Sequence, residues 1–191
     1  MNAFSTAAVL MVLAAAAVPV TAQTQEQPSP ASCILKFEAM KDAAASTTFA
    51  ATAAQDGMIE VALAGLALRK SRSNQLRQFA QRVVQDYARS NGELDSIARC
   101  KGLILPTEVD AKHTALVVSF NAKSGGAFDE AYLKHMGRKH SEATTLFESA
   151  SRSGDPDVVA FARKGLSTLR EHQVLADNLR AGVGAEVVST H

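Results

Sequence analysis

Turn-forming residues divide most of this chain into four long segments with a helical apolar pattern. The second segment begins at Asn74, a residue suited to capping a helix, and stops at Gly102, a residue suited to ending one. The fourth opens with Asp155 and Pro156, a cap followed by proline at the first helical position. The chain is therefore predicted to be all-α. The expected helices cover residues 47–71, 74–102, 126–154 and 155–182.

The connections between these segments predict the topology. Only a few residues separate the first segment from the second, and the third from the fourth, so each pair must form an antiparallel hairpin. Residues 103–126 join the hairpins and hold Pro106 and a short helical stretch at 110–123. Because a helix of about 27 residues is about 40 Å long, this connector can return along it. Two hairpins with one long crossover make a ferritin-like four-helix bundle.

The N-terminal part of the chain has the pattern of an export signal. The first 22 residues carry no charge, and a small-residue stretch at 20–22 fits cleavage before Gln23. The apolar run at 7–18 is too short to span a membrane comfortably. No Lys or Arg precedes it, so an uncleaved membrane anchor is the alternative. We predict a signal peptide at 1–22, a spacer and N-terminal segment at 23–46, a bundle domain at 47–182 and a tail at 183–191, in a periplasmic protein.

Two cysteines, Cys33 and Cys100, remain in the mature part of the chain. An exported protein meets an oxidising compartment in which disulfides persist. A disulfide closing this loop would stabilise the fold by about 4 kcal/mol on the chain-entropy model. Two unpaired thiols are the alternative, and the compartment favours the disulfide.

The charge of the chain indicates which kinds of binding partner to expect. The formal net charge is +1, which gives no bulk attraction to nucleic acid. Cations are frequent along the second helix and its entry, so an anionic envelope surface is a candidate partner. A charge run on a helix is more often a solvated face. The oligomeric state stays open, including a homo-oligomer. The cations are Arg69, Lys70, Arg72, Arg77, Arg82, Arg89, Arg99 and Lys101.

Polar residues stand on apolar stripes in all four long helices. Glu60 is the only charge in a stretch of twelve residues, and a buried carboxylate needs a partner or a raised pKa. His140 and His172 lie in the middle of their stripes. Tyr87 lies on the stripe of the second helix, beside Asp86. One inward polar position on each helix is the layout from which bundle metal sites are built. The candidate metal ligands are Glu60, Asp86, His140 and His172.

Three interpretations of these residues stay open: a structural polar network, a zinc or iron site, and a catalytic site. No Glu has a His three residues later, as carboxylate-bridged di-iron bundles require. Glycine loops for nucleotides, serine-hydrolase elbows and His-Glu-x-x-His or Cys-x-x-Cys motifs are missing as well. A structural network is therefore favoured, with no cofactor and no catalytic residue assigned. His135 is expected to be peripheral, and His113 lies on the crossover.

The sequence resembles the exported bacterial family called domain of unknown function 4142, over about residues 49–179. The resemblance implies a ferritin-like helical fold and no established activity. The chain departs from the family pattern at Tyr87, where a His is usual, and at Ser167, where Pro is frequent. We expect a non-enzymatic envelope or stress-related protein, with a metal-binding bundle and a membrane-tethered binding module as alternatives. The matching motifs are Glu60-Val-x-Leu-x-x-Leu-Ala, Phe79-Ala-x-x-Val-x-x-Asp86, Leu105-Pro106-Thr107, Phe128-Asp129-x-x-Tyr132, His140 with Phe147-Glu148, and Leu169-Arg170-Glu171-His172.

Overall fold

The computed structural model describes residues 42–152 and 154–188, with side chains as far as Gly182. All regular secondary structure in this part of the chain is α-helical, as the sequence predicts. Four helices are long and one is short. They are α1 (Ala43–Lys70), α2 (Asn74–Lys101), α3 (Ala111–Asn121), α4 (Gly125–Ala150) and α5 (Pro156–Val188).

Local signals set the helix ends. Ser73, rather than Asn74, caps α2, because its Oγ accepts a hydrogen bond from the backbone N–H of Leu76. Gly102 ends α2 in the left-handed conformation with φ of 69°, which a glycine adopts at little cost. Asp155 caps α5 through Oδ1, which accepts from the backbone N–H groups of residues 157 and 158. α1 begins four residues before the expected position, and α4 ends at Ala150 rather than at residue 154.

The helices pack as two hairpins that lie against each other. α1 packs against α2, and α4 against α5. Between the hairpins, α1 packs on α4 and α2 on α5, while α3 lies over α1 and α4. Asp56 of α1 pairs with Lys139 of α4, and Glu60, four residues later on α1, contacts His135, four residues earlier on α4. These two helices therefore run antiparallel. The four long helices therefore surround a shared interior.

The interior is apolar at both ends. One cluster of buried side chains includes Leu63, Phe79 and Phe128, and the other includes Phe49 and Phe161. Phe49 meets Phe147 edge to face with ring centroids 4.9 Å apart. The ring of Phe147 in turn packs where a Cβ would stand at Gly165, so this glycine permits the close approach of α4 and α5.

No helix among residues 42–152 and 154–188 combines the length and apolar character needed to cross a membrane. The predicted signal peptide, nearly all of the predicted spacer, and Cys33 lie outside the described residues, as does the end of the predicted tail. The expected domain boundaries and the disulfide therefore stay predictions.

Candidate functional site

A group of polar side chains lies in the interior between the two apolar clusters. Each of the four long helices contributes at least one of them, so the fold brings together residues that are far apart in sequence. We call this group the core polar cluster. Its members are Glu60 on α1, Asp86 and Tyr87 on α2, Tyr132, His135 and His140 on α4, and His172 on α5.

Three of the four sequence-predicted residues are buried. Glu60 is 1% exposed, and both His140 and His172 are fully buried. The side chain of Asp86 is 15% exposed. The apolar stripes of the helices therefore predicted the interior positions of Glu60, His140 and His172 correctly.

The four candidate ligands do not share one point but take part in three separate pairs. His135 Nε2 donates to Glu60 Oε1 at 3.1 Å. His172 Nε2 donates to Asp86 Oδ2 at 3.0 Å. A carboxylate only accepts, so each imidazole presents its Nε2 proton to its partner. Within the described residues, no three His, Cys, Asp or Glu side chains are grouped so that they could hold a metal ion.

His140 has a phenol as its partner. Tyr87 Oη lies 3.4 Å from His140 Nε2, and the two rings are stacked with centroids 6.4 Å apart. The ring of His172 meets the His140 ring edge to face at 5.3 Å. Tyr87 also contacts His172, at 6.1 Å between centroids. These ring contacts join two of the pairs into one continuous network.

The expectation that His135 is peripheral is wrong. His135 is 6% exposed and is the hydrogen-bond partner of Glu60. The crossover helix α3 covers this face of α4, and Phe120 of α3 meets the His135 ring at 5.5 Å. α4 is therefore buried on two faces, although its apolar stripe marks only one. The motif residue Tyr132 is also fully buried in the cluster.

Burial sets the protonation of the cluster. The pKa of His140 is lowered from 6.5 to about 4, chiefly by burial and against the opposing charge of Glu60. Burial also lowers the pKa of His172, although its bond to Asp86 opposes this. Burial, and then the charge of Glu60, raise the pKa values of Tyr87 and Tyr132. Near neutral pH both imidazoles are thus neutral and both phenols keep their protons.

Several buried polar atoms of the cluster have no hydrogen-bond partner within the described residues. Such atoms are uncommon in folded proteins, and each carries a desolvation cost. They are Glu60 Oε2, Tyr132 Oη and His172 Nδ1.

A cavity lies beside the core polar cluster. It lies between α2 and α5 and is lined by Asp86, Tyr87, Phe147, Lys164 and Gly165, among others. Most of its surface is apolar. Asp86 and Tyr87, which bond to His172 and His140, are the two cluster members that line it.

The predicted basic face of α2 divides into two parts. Arg82 and Arg89 both pair with Asp86, and Arg82 also pairs with Glu171. Further along, Arg99 pairs with Asp95. These exposed cations are paired with carboxylates of the same chain, in contrast to those at the start of α2.

At the end of α2 the last cation of this face is buried. Lys101 is 8% exposed and bonds to Asp155 and Asp157 at the start of α5, at 2.9 and 2.6 Å. The two carboxylates raise the pKa of Lys101 against the effect of its burial. This ion pair fixes the end of α2 to the start of α5.

The fold and the cluster thus define an all-helical protein with a buried carboxylate–histidine–tyrosine network. The sequence model of the family described as Domain of unknown function (DUF4142) matches residues 36–179, and the chain belongs to this family. This confirms the resemblance found in the sequence. No curated protein and no solved structure matches the chain.

Proposed function

We propose that this is an exported, non-enzymatic protein of the bacterial envelope, built as a ferritin-like four-helix bundle in which the core polar cluster joins the two hairpins. One observation supports the proposal that the core polar cluster joins the two hairpins. Every hydrogen-bonded pair of the cluster links a helix of the first hairpin to a helix of the second. Glu60 reaches α4, and Asp86 and Tyr87 reach α5 and α4.

The packing order supports the ferritin-like arrangement. Two antiparallel hairpins lie side by side, and the segment between them carries the short helix α3 along the outside. A long crossover between the second and third long helices is the connection of ferritin-like folds.

The pairing supports a structural role over a ligand site. Each candidate ligand bonds to one side chain of the other hairpin, and the resulting pairs do not converge on one point within the described residues. Asp86 and His172 are each other's partners across the hairpin interface, and Glu60 and His140 have partners there from outside the candidate set. An interface tied in this way has one register, because a shift by one turn would leave Glu60 and Asp86 without their partners.

A double-mutant cycle on Asp86 and His172 tests the structural role. Asp86→Ala, His172→Ala and the double variant are compared with wild type by denaturant unfolding. We expect a coupling of about 1–3 kcal/mol, typical of residues in one hydrogen-bonded network. A cycle between Asp86 and Glu142, an exposed residue of α4, is the control and should show no coupling. Additive effects for Asp86 and His172 would contradict the proposal.

Cell fractionation tests the export. The mature protein should begin at Gln23 and appear in periplasmic extracts, because residues 20–22 fit a cleavage site. An intact mass that includes Met1, found in the membrane fraction, would favour a membrane-tethered binding module instead.

A metal-binding bundle is the second candidate, and the unpartnered buried atoms Glu60 Oε2 and His172 Nδ1 favour it. Zinc or iron suits the imidazole and carboxylate donors present. Calorimetric titration of Zn²⁺ and Fe²⁺ into wild type and Tyr87→His tests it, since the variant restores the histidine usual in the family. A metal site predicts tighter binding by Tyr87→His. Absence of binding to both proteins would reject it.

A further inference from the structure

The two ends of the molecule differ in charge. At one end lie the α1–α2 turn, the α3–α4 turn and the last described turn of α5. Residues 69–77, 118–134 and 177–182 at this end hold seven Lys and Arg against three Asp and Glu. At the other end, residues 42–50, 95–103 and 148–163 hold four Lys and Arg against five Asp and Glu. We call the first of these the basic end.

The contacts show that these cations share one surface. Lys70 Nζ donates to the backbone carbonyls of Asn121 and Lys123, so the end of α1 lies against the α3–α4 turn. Lys123, Lys134 and Arg180 line a single groove between α3, α4 and α5. The basic end is thus assembled from all five helices.

Most of the cations at the basic end are free to meet a partner. Among the described residues, those named below lie within 4.0 Å of no carboxylate, and each is exposed. Of the three acids at this end, Asp129 is buried and Asp177 already pairs with Arg180. The exposed, unpaired cations are Arg69, Arg72, Arg77, Lys123 and Lys134.

We propose that the basic end docks on an anionic phospholipid bilayer, with the long helices standing away from the membrane. Charge complementarity carries the inference, since each Lys or Arg held near an anionic bilayer adds to the attraction. Val118, which is 64% exposed on α3, supplies an apolar side chain near Lys123 for the headgroup region. The inference rests on the proposed envelope location for its setting.

A lipid surface fits this end better than a single-stranded nucleic acid does. Binding of single strands uses exposed aromatic rings on which bases stack. The aromatic residues at the basic end, Phe120, Phe128 and Tyr132, are all buried. The cations there surround the end of a helical rod, which presents them together to a flat surface.

Vesicle sedimentation with the purified mature chain tests the proposal. Wild type should bind vesicles that contain phosphatidylglycerol, bind neutral phosphatidylcholine vesicles far more weakly, and lose binding as salt rises. Lys123→Gln with Lys134→Gln should weaken binding at least about tenfold, at roughly fivefold per charge. The matched control, Arg152→Gln with Arg163→Gln, removes two exposed charges at the opposite end and should change binding less than about twofold.

Three results would overturn the proposal. The first is equal binding to neutral and anionic vesicles, and the second is equal weakening by both double variants. The third is binding to short DNA that depends on Lys123 and Lys134 and is tighter than binding to anionic vesicles. All four substitutions replace exposed side chains, so the fold should persist, and circular dichroism in the far ultraviolet checks this. Binding is measured on purified protein. A failure of vesicle binding is therefore distinguishable from a failure of the predicted export, which cell fractionation measures independently.

Discussion

His135 donates a hydrogen bond to Glu60 from a neighbouring antiparallel helix, over 3.1 Å and away from solvent. The second oxygen of Glu60 has no partner within the described residues, so the carboxylate depends on this one imidazole. A buried carboxylate with a single partner is sensitive to any change in its side chain.

Glu60→Ala should therefore lower the free energy of unfolding by about 3 kcal/mol, because it leaves His135 unpaired and opens a cavity. Glu60→Gln keeps the size and a hydrogen-bonding oxygen, so we expect a loss of about 1 kcal/mol. Denaturant unfolding measures both. Glu142→Gln, on the surface of α4, is the control and should stay within about 0.5 kcal/mol of wild type. Glu60→Ala with wild-type stability would show that the pair contributes nothing.

His140 makes stability depend on pH. An imidazole in the unfolded chain takes up a proton near pH 6.5, whereas folded His140 resists protonation down to about pH 4. Between these values the unfolded state binds more protons. The contribution of neutral His140 to the free energy of unfolding is thus complete above pH 6.5. It falls by about 3 kcal/mol as the pH drops to about 4.

Unfolding curves across this range should show the loss in wild type and a smaller one in His140→Gln, which cannot titrate. Identical profiles for His140→Gln and wild type would contradict the assignment.

Gly165 is required by the ring of Phe147. A Cβ at this position would overlap that ring, so Gly165→Ala should cost about 1–3 kcal/mol despite the better helix propensity of Ala. At Gly92, on α2, a Cβ meets nothing within 4 Å. Gly92→Ala should accordingly stabilise by about 0.5–1 kcal/mol. Melting temperatures shifted in the same direction by the two variants would disprove this account.

The disulfide between Cys33 and Cys100 remains to be tested. Cys100→Ser should lower the free energy of unfolding by about 4 kcal/mol, and digestion without reductant should yield one linked peptide. A reductant should lower the melting temperature of wild type and leave that of Cys100→Ser unchanged. Quantitative labelling of both thiols in protein taken directly from the periplasm would exclude the bond.

Structural features that depend only on residues close together in the chain were predictable from the sequence. The Asp155 cap, Pro156 at the first turn and the left-handed Gly102 are local and mark the helix ends directly. The inward positions of Glu60, His140 and His172 follow from helical periodicity alone. The family assignment also follows from short motifs.

The partners of the buried residues were not predictable in the same way. His135 is buried because α3 lies over α4, and a single apolar stripe does not reveal a second covering helix. Ser73 caps α2 because of the path of the turn before it, although Asn74 is an equally suitable residue type. Which carboxylate meets which imidazole depends on how the hairpins dock, and that is a property of the assembled core.

The protein carries its own optical probe of this docking. It has no Trp, and its only tyrosines, Tyr87 and Tyr132, both belong to the core polar cluster. Tyr87 comes from the first hairpin and Tyr132 from the second. Tyrosine fluorescence and near-ultraviolet circular dichroism of the unmodified chain therefore report on the interface between the hairpins, without any introduced label.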